Sequence, residues 1–232
     1  MTIIHDEEFG DISVRRVARA RYVRIKLGND GRYIATAPPY TPMIFIKRMI
    51  KNSREELRSL AEHSKQNVPY EAEQQIGQHH SLAVVYTGMV TEPSLKVVKD
   101  RLVVKLPFDT PLENADTQQL IRDEVIKILR KEAKAELPRM LATMAKEHGF
   151  SYEKLRFTHS TGRWGSCTSS GTISLNIALM KLPTELINYV LAHELSHTRQ
   201  MNHSPAFWDE VASVDPHFKL HRRQLKRENP AV

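Results

Sequence analysis

The sequence predicts an α+β fold with a β-rich N-terminal half, a helical C-terminal half and one small hairpin. Three observations carry this. Short stretches of strict alternation recur up to about residue 106. A long helical repeat of apolar positions follows from Asp116. Beyond it, Pro183, Ser204-Pro205 and Asp215-Pro216 each mark the start of a helix.

The elements follow in chain order. Val23, Ile25 and Leu27 alternate with Arg24 and Lys26, the period of a half-buried strand. Gly28-Asn29-Asp30-Gly31 supplies turn residues, and Tyr33 to Ala37 returns as a second strand. Pro38-Pro39 stops it. Thr41-Pro42 reads as an N-cap followed by proline. Ile46, Met49, Ile50, Leu57 and Leu60 then share one helical face. His63 to Gly77 is a polar connection. Leu82 to Thr87 is a strand, and Leu95 to Val98 with Leu102 to Leu106 flank Lys99-Asp100-Arg101 as a hairpin. Pro107 and Pro111 mark a boundary. They divide the chain into residues 1–112, β-rich with one long helix, and residues 113–232.

In the second part, Ile121, Val125, Ile128 and Leu129 face inward on a helix. Pro138 lacks a backbone donor and is expected to kink or divide that helix. Leu141 and Met144 continue its apolar face, and Gly149 is its natural stop. Leu155 to Phe157 and Thr172 to Leu175 pair as strands around Gly162 to Gly171. Pro183 to about Gln200 is the next helix.

Composition bounds the function. The 232 residues suffice for one large domain or two small ones, and 41% of them are hydrophobic, enough for a real core. No run approaches the roughly 18 apolar residues of a membrane span, so no membrane partner is expected. The start, M-T-I-I-H-D-E-E-F-G, is acidic and is not expected to be a secretory signal. Cys167 is the single cysteine, which fits a reducing, cytoplasmic setting. The 34 Lys and Arg exceed the 27 Asp and Glu by seven. That surplus tolerates nucleic acid or acidic partners, although no run of aromatics interleaved with Lys or Arg marks a base-stacking surface. His221 to Arg227, the densest basic cluster, reads as the exposed face of a last helix. The oligomeric state is not legible.

The chemistry concentrates in Y-V-L-A-H-E-L-S-H-T-R-Q-M-N-H-S-P-A-F-W, Tyr189 to Trp208. His193 and His197, four apart on a helix, present two imidazoles to one point. Glu194 lies about 100° round the axis, within reach of a water at that point. This is the H-E-x-x-H arrangement of two zinc ligands and a general base. Catalytic zinc takes three protein ligands and leaves a fourth position open. His203 completes the set if the helix ends after Gln200, with Asn202 in the left-handed conformation and Ser204-Pro205 starting a new helix. The competing reading is a core in which the imidazoles only hydrogen-bond. It must bury three His and one Glu near one spot, at several kcal/mol if unpaired. The expected cofactor is therefore Zn2+. Cys167 is expected to be a small buried residue. Trp164, Phe207 and Trp208 are expected to be core around the metal helix, and His5, His79 and His80 to be surface residues.

R-W-G-S-C at Arg163 to Cys167, I-S-L-N at Ile173 to Asn176, Y-V-L-A-H-E-L-S-H and N-H-S-x-x-F-W at Asn202 to Trp208 together resemble the YgjP-like zinc metallopeptidase family, itself related to the SprT and WLM metalloproteases. The resemblance extends weakly back to Arg21. It implies a gluzincin-like C-terminal half, residues 113–232 as the catalytic part, His193, His197 and His203 as ligands, and Glu194 as base. The family usually has Lys-Ser-Arg or Lys-Thr-Arg before Trp-Gly-Ser-Cys, whereas Ser160-Thr161-Gly162-Arg163 lacks that lysine. The third His is spaced as in metzincins, but Gln200 stands where those have glycine.

A zinc-dependent metallopeptidase acting on protein or peptide is the leading expectation. A metal-dependent hydrolase of nucleotide or phosphate anhydrides is an alternative, although no glycine-rich phosphate loop appears. A metal-stabilised binding module tied to nucleic acid is another. Arg163 is the candidate for stabilising a developing oxyanion, with His159 and His217 as further candidates and a salt bridge as the competing role for Arg163. The strand Thr172 to Leu175 is a candidate edge for an extended peptide.

Overall fold

The structure is a computed structural model. It describes residues 2–27, 33–58 and 69–232. The turn Gly28 to Gly31, Leu60 and the beginning of the connection at His63 lie outside the described residues. The chain forms two compact units, residues 1–68 and 69–232.

In the first unit, β1 (Thr2–Asp6), β2 (Gly10–Arg16), β3 (Arg24–Leu27) and β4 (Tyr33–Ala37) form one sheet in the order β1-β2-β4-β3. β2 and β4 are parallel and the other pairs antiparallel. The β1–β2 hairpin is an element that sequence reasoning passed over, although Ile4, Ile12 and Val14 alternate into the core. Helix α1 (Met43–Asn52) begins after Pro42 with no side-chain cap, so Thr41 does not serve as one. Its Ile46 and Ile50, with Leu57, pack against Ile12, Val14, Ala35 and Ala37. The Tyr33 hydroxyl donates to the Leu57 carbonyl at 2.7 Å. Only one face of the sheet is covered by this core.

The second unit opens with β5 (Ser81–Tyr86), β6 (Ser94–Val98) and β7 (Arg101–Leu106), in the order β5-β7-β6. The predicted hairpin is β6–β7, with Lys99 at φ 56 in its turn. Helix α2 (Ala115–Glu147) runs 33 residues from Asn114, whose side chain accepts from the amides of Asp116 and Thr117. Pro138 lies inside it and does not divide it. Leu129 and Leu137 before the proline, and Leu141 after it, are all fully buried, and this shared packing outweighs the lost hydrogen bond. Gly149, at φ 68, follows the helix end as expected. The side chains of β5 and β7 share one core with α2 through Leu82, Leu102, Val104, Leu106, Ile121 and Val125. The sequence-level boundary at 112/113 therefore lies inside the second unit.

The turn before β5 is anchored by the buried Glu132 of α2. Its carboxylate accepts from the amides of Gln78 (2.8 Å) and His79 (3.1 Å) and pairs with His80 Nδ1 at 2.6 Å. His80 is thus a largely buried partner of Glu132 and not the surface residue expected from its lack of ligand spacing. His5 and His79 are exposed, as expected.

A third sheet comprises β8 (Lys154–Thr158), β9 (Gly165–Cys167) and β10 (Thr172–Asn176) in the order β8-β10-β9. β8 is parallel to β10, and β9 is antiparallel to it. β10 is therefore central, and the edge expected of Thr172 to Leu175 belongs to β9 instead. A 3-10 turn (Ile177–Lys181) leads to α3 (Thr184–Ser196), α4 (Pro205–Val214) and α5 (Phe218–Leu225). Among the described residues no helix is long and apolar enough to cross a membrane.

Candidate metal centre and active site

Helix α3 is apolar nearly all round, with Leu186, Ile187, Val190, Leu191 and Leu195 buried. It fixes His193 in its last turn. The helix stops at Ser196, with His197 as its C-cap, four residues before the expected end at Gln200. The Thr198 hydroxyl donates to the Leu195 carbonyl at 2.7 Å, and the amides of Thr198 and Arg199 bond three residues back, which tightens and closes the helix. No left-handed residue is used. The described non-glycine residues with positive φ are Glu73 and Lys99, not Asn202. The Ser204 amide instead bonds the Asn202 carbonyl at 2.8 Å, and the Ser204 hydroxyl caps α4 through the Phe207 amide. This break turns His203 back toward α3.

The three rings converge. Their candidate ligand atoms all lie within 4.8 Å of one another, and His193 Nε2 stands 3.2 Å from His203 Nε2. Nitrogens roughly 2.0–2.1 Å from one tetrahedral zinc stand about 3.3 Å apart, which the His193–His203 pair matches, and three imidazoles are a donor set that such an ion takes. The Gln200 carbonyl can only accept, so its 3.1 Å contact fixes the proton of His197 on Nδ1 and leaves Nε2 bare. Burial, then the neighbouring His197 and His203, push His193 down to about 3. Burial also lowers His197. His193 and His197 are thus held in the neutral form that ligates metals. Phe207 is fully buried and touches all three, at ring-centroid distances of 4.5–4.9 Å. Trp208 stacks on His203. Among the described residues this is the one group of His, Cys, Asp and Glu able to hold a metal. His159, Cys167 and His217 stand outside it. Cys167 is half-buried, and burial raises its thiol.

Glu194 is 5% exposed, and its Oε2 has no hydrogen-bond partner. Burial pushes its carboxyl up to about 8, against the downward pull of the exposed Arg163 guanidinium. Directly beside it runs β9. A Cβ on Gly165 would fall 2.6 Å from Glu194 Oε1, so only glycine lets the strand pass this carboxylate. The segment before β9 is held by Asn176, which is fully buried. Its amide donates to the carbonyls of Ser160 (2.6 Å) and Arg163 (2.9 Å), and its own carbonyl accepts from the Ala178 amide. Sequence reasoning quoted Gly165 and Asn176 inside motifs without assigning them a task. The only signal was the smallest residue standing between Trp164 and Ser166.

The pH dependence of the chelator-treated protein follows. Between its ordinary 4.5 and about 8, Glu194 keeps a proton in the fold that the unfolded chain has released. Its contribution therefore falls as pH rises. His193 acts in the opposite sense only between about 3 and its ordinary 6.5. From pH 6.5 to 8 Glu194 dominates, and stability is expected to drop by about 1.5–2 kcal/mol. Glu194→Gln is expected to flatten that drop. Denaturant melts at the two pH values check it, and parallel losses in both proteins would refute it.

An H-E-x-x-H helix end with a third imidazole folded back across a break, on an α+β scaffold, defines a metallopeptidase type of hydrolase. The chain belongs to the YgjP-like metallopeptidase domain family, which matches residues 21–228. Among solved structures, it is similar to the metallopeptidase zymogen abylysin of Pyrococcus abyssi at 26% identity. That match covers 38% of this chain and 90% of the other, with a TM-score of 0.36. It is also similar to the zymogen jannalysin of Methanocaldococcus jannaschii at 17% identity, with coverages of 38% and 95% and a TM-score of 0.33. No curated protein matches.

Proposed function

We propose that this chain is a zinc-dependent peptidase in which His193, His197 and His203 hold the ion and Glu194 is the general base. The observation that carries the peptide substrate is the edge strand β9, which lies against Glu194 at Gly165 and, among the described residues, pairs with β10 on one side only. An extended peptide added along that edge brings its carbonyls beside the carboxylate. When bound, zinc supplies Lewis acidity toward a carbonyl and toward water. Glu194 takes the proton of the attacking water and returns it to the departing amine. Its dry pocket raises its basicity into the working range. Arg163, whose charge already acts on Glu194, offsets negative charge on the former carbonyl oxygen.

The test is a substrate panel. Protein loaded with one zinc per chain is expected to fragment casein and to release no phosphate from nucleoside triphosphates. Turnover of nucleotides with intact casein would favour the anhydride hydrolase instead. Turnover of neither would favour the binding module.

A further inference from the structure

The N-terminal unit holds thirteen Lys and Arg against eight Asp and Glu in residues 1–68, so +5 of the chain's +7 sits in less than a third of its length. That charge is sorted. On the side facing α1, Arg54 pairs with Asp6 and Glu8, and Arg58 pairs with Glu8. From Ser13 to Leu27 there are six basic residues and no acidic one. Arg16 is occupied, donating to the carbonyls of Pro39 and Thr41. Arg15, Arg19, Arg21, Arg24 and Lys26 are exposed, and none has an acidic partner among the described residues.

The strand register gathers these side chains. Arg15 pairs with Thr36, which pairs with Arg24, so the two arginines lie in one row across three strands. Ser13, Ile34 and Lys26 form the next row on the same face, and Ile3 extends it. The opposite face is the one that buries Val14 and Ala35. Arg15 and Arg24 are thus roughly 9–10 Å apart, and Arg24 and Lys26 about 6–7 Å. The described acid on this open face is Asp11, at its far end, held by His5 at 2.9 Å. At the basic end Tyr22 is 61% exposed, with the Arg24 guanidinium 5.3 Å from its ring centre.

We propose that this open sheet face binds a single nucleic-acid strand, with its phosphates on Arg15, Arg24 and Lys26 and a base stacked on Tyr22. Arginine forks suit phosphate oxygens, and an exposed ring beside a basic row is how unpaired bases are held without sequence preference. The ring and the aliphatic Ile3 and Ile34 give bases a surface that a chain of carboxylates would not use. A duplex has its bases already stacked and offers Tyr22 nothing. The residues of this face belong to the first unit and those of the proposed hydrolytic centre to the second, and the proposal stands without any assignment of substrate at that centre.

The test is fluorescence anisotropy of the full-length protein with labelled oligothymidylate and oligouridylate of about 20 nucleotides, between about 50 and 200 mM salt. Saturable, salt-sensitive binding is expected with at least one of them. The exposed triple variant Arg15→Gln, Arg24→Gln, Lys26→Gln is expected to lose affinity at least about tenfold and to flatten the log–log salt slope by about 2. Tyr22→Ala is expected to lose about fivefold or more with the slope retained. Arg24→Lys, which keeps the charge, is expected to retain the slope and guards against a folding defect in the triple variant. Lys226→Gln with Arg227→Gln, in the basic cluster of α5 and its end, is expected to bind as wild type. The proposal fails if neither oligonucleotide binds, if the triple variant binds as wild type, or if the loss follows Lys226 and Arg227. It fails equally if polyglutamate or phosphatidylglycerol vesicles compete as well as the oligonucleotides.

Discussion

Glu194→Gln is expected to keep the metal and lose about 10³-fold in turnover of casein. The exchange preserves shape and volume in a pocket where Oε2 has no partner to lose. It removes the carboxylate proposed to carry a proton from water to the leaving amine. Metal content by mass spectrometry and the melting temperature of the loaded protein should be unchanged within error. The loss should therefore appear in kcat, not in folded or loaded fraction. A variant that cleaves casein at the wild-type rate would remove Glu194 from the mechanism. One that loses its metal would show that the carboxylate shapes the ligand cage.

The second large effect belongs to a residue with no side chain. Gly165→Ala places a methyl group 2.6–2.8 Å from Oε1, Cγ and Cδ of Glu194. Neither β9, fixed to β10 through Leu175, nor the buried α3 has free room to yield. The carboxylate is displaced by the order of 1 Å, which costs about 10²-fold in rate, and overpacking costs about 1–3 kcal/mol of stability. Gly162→Ala is the matched control, since its Cβ would meet nothing within 4 Å, and it should cleave casein at the wild-type rate. Equal activity in both variants would show that β9 does not constrain the base.

The grouping of the three histidines was legible because its information is local. His193, Glu194 and His197 are fixed by helical spacing, and Ser204-Pro205 announces the next helix. What the sequence hid is set by tertiary packing. The helix stops at Ser196 because the Thr198 hydroxyl and the amides of Thr198 and Arg199 turn onto carbonyls three residues back, a competition that periodicity does not register. Pro138 reads as a breaker, but buried neighbours on both sides keep α2 whole. His80 looked unattached because its partner Glu132 lies 52 residues away. β10 looked like an edge because β9 is three residues long and carries no alternating pattern of its own. Arg15 and Arg24 share a row through Thr36, a relation that exists only once the strand order is known.

The ring of Phe207 has a further consequence. It works as a mandrel around which the three imidazoles are set, and it is seated by the cap of α4 and the hydrophobic interior behind it. On the proposed assignment of the three imidazoles as ligands, the shape of their cage is set by this packing. Trimming that benzyl group would slacken all three donors together while leaving every one of them in place.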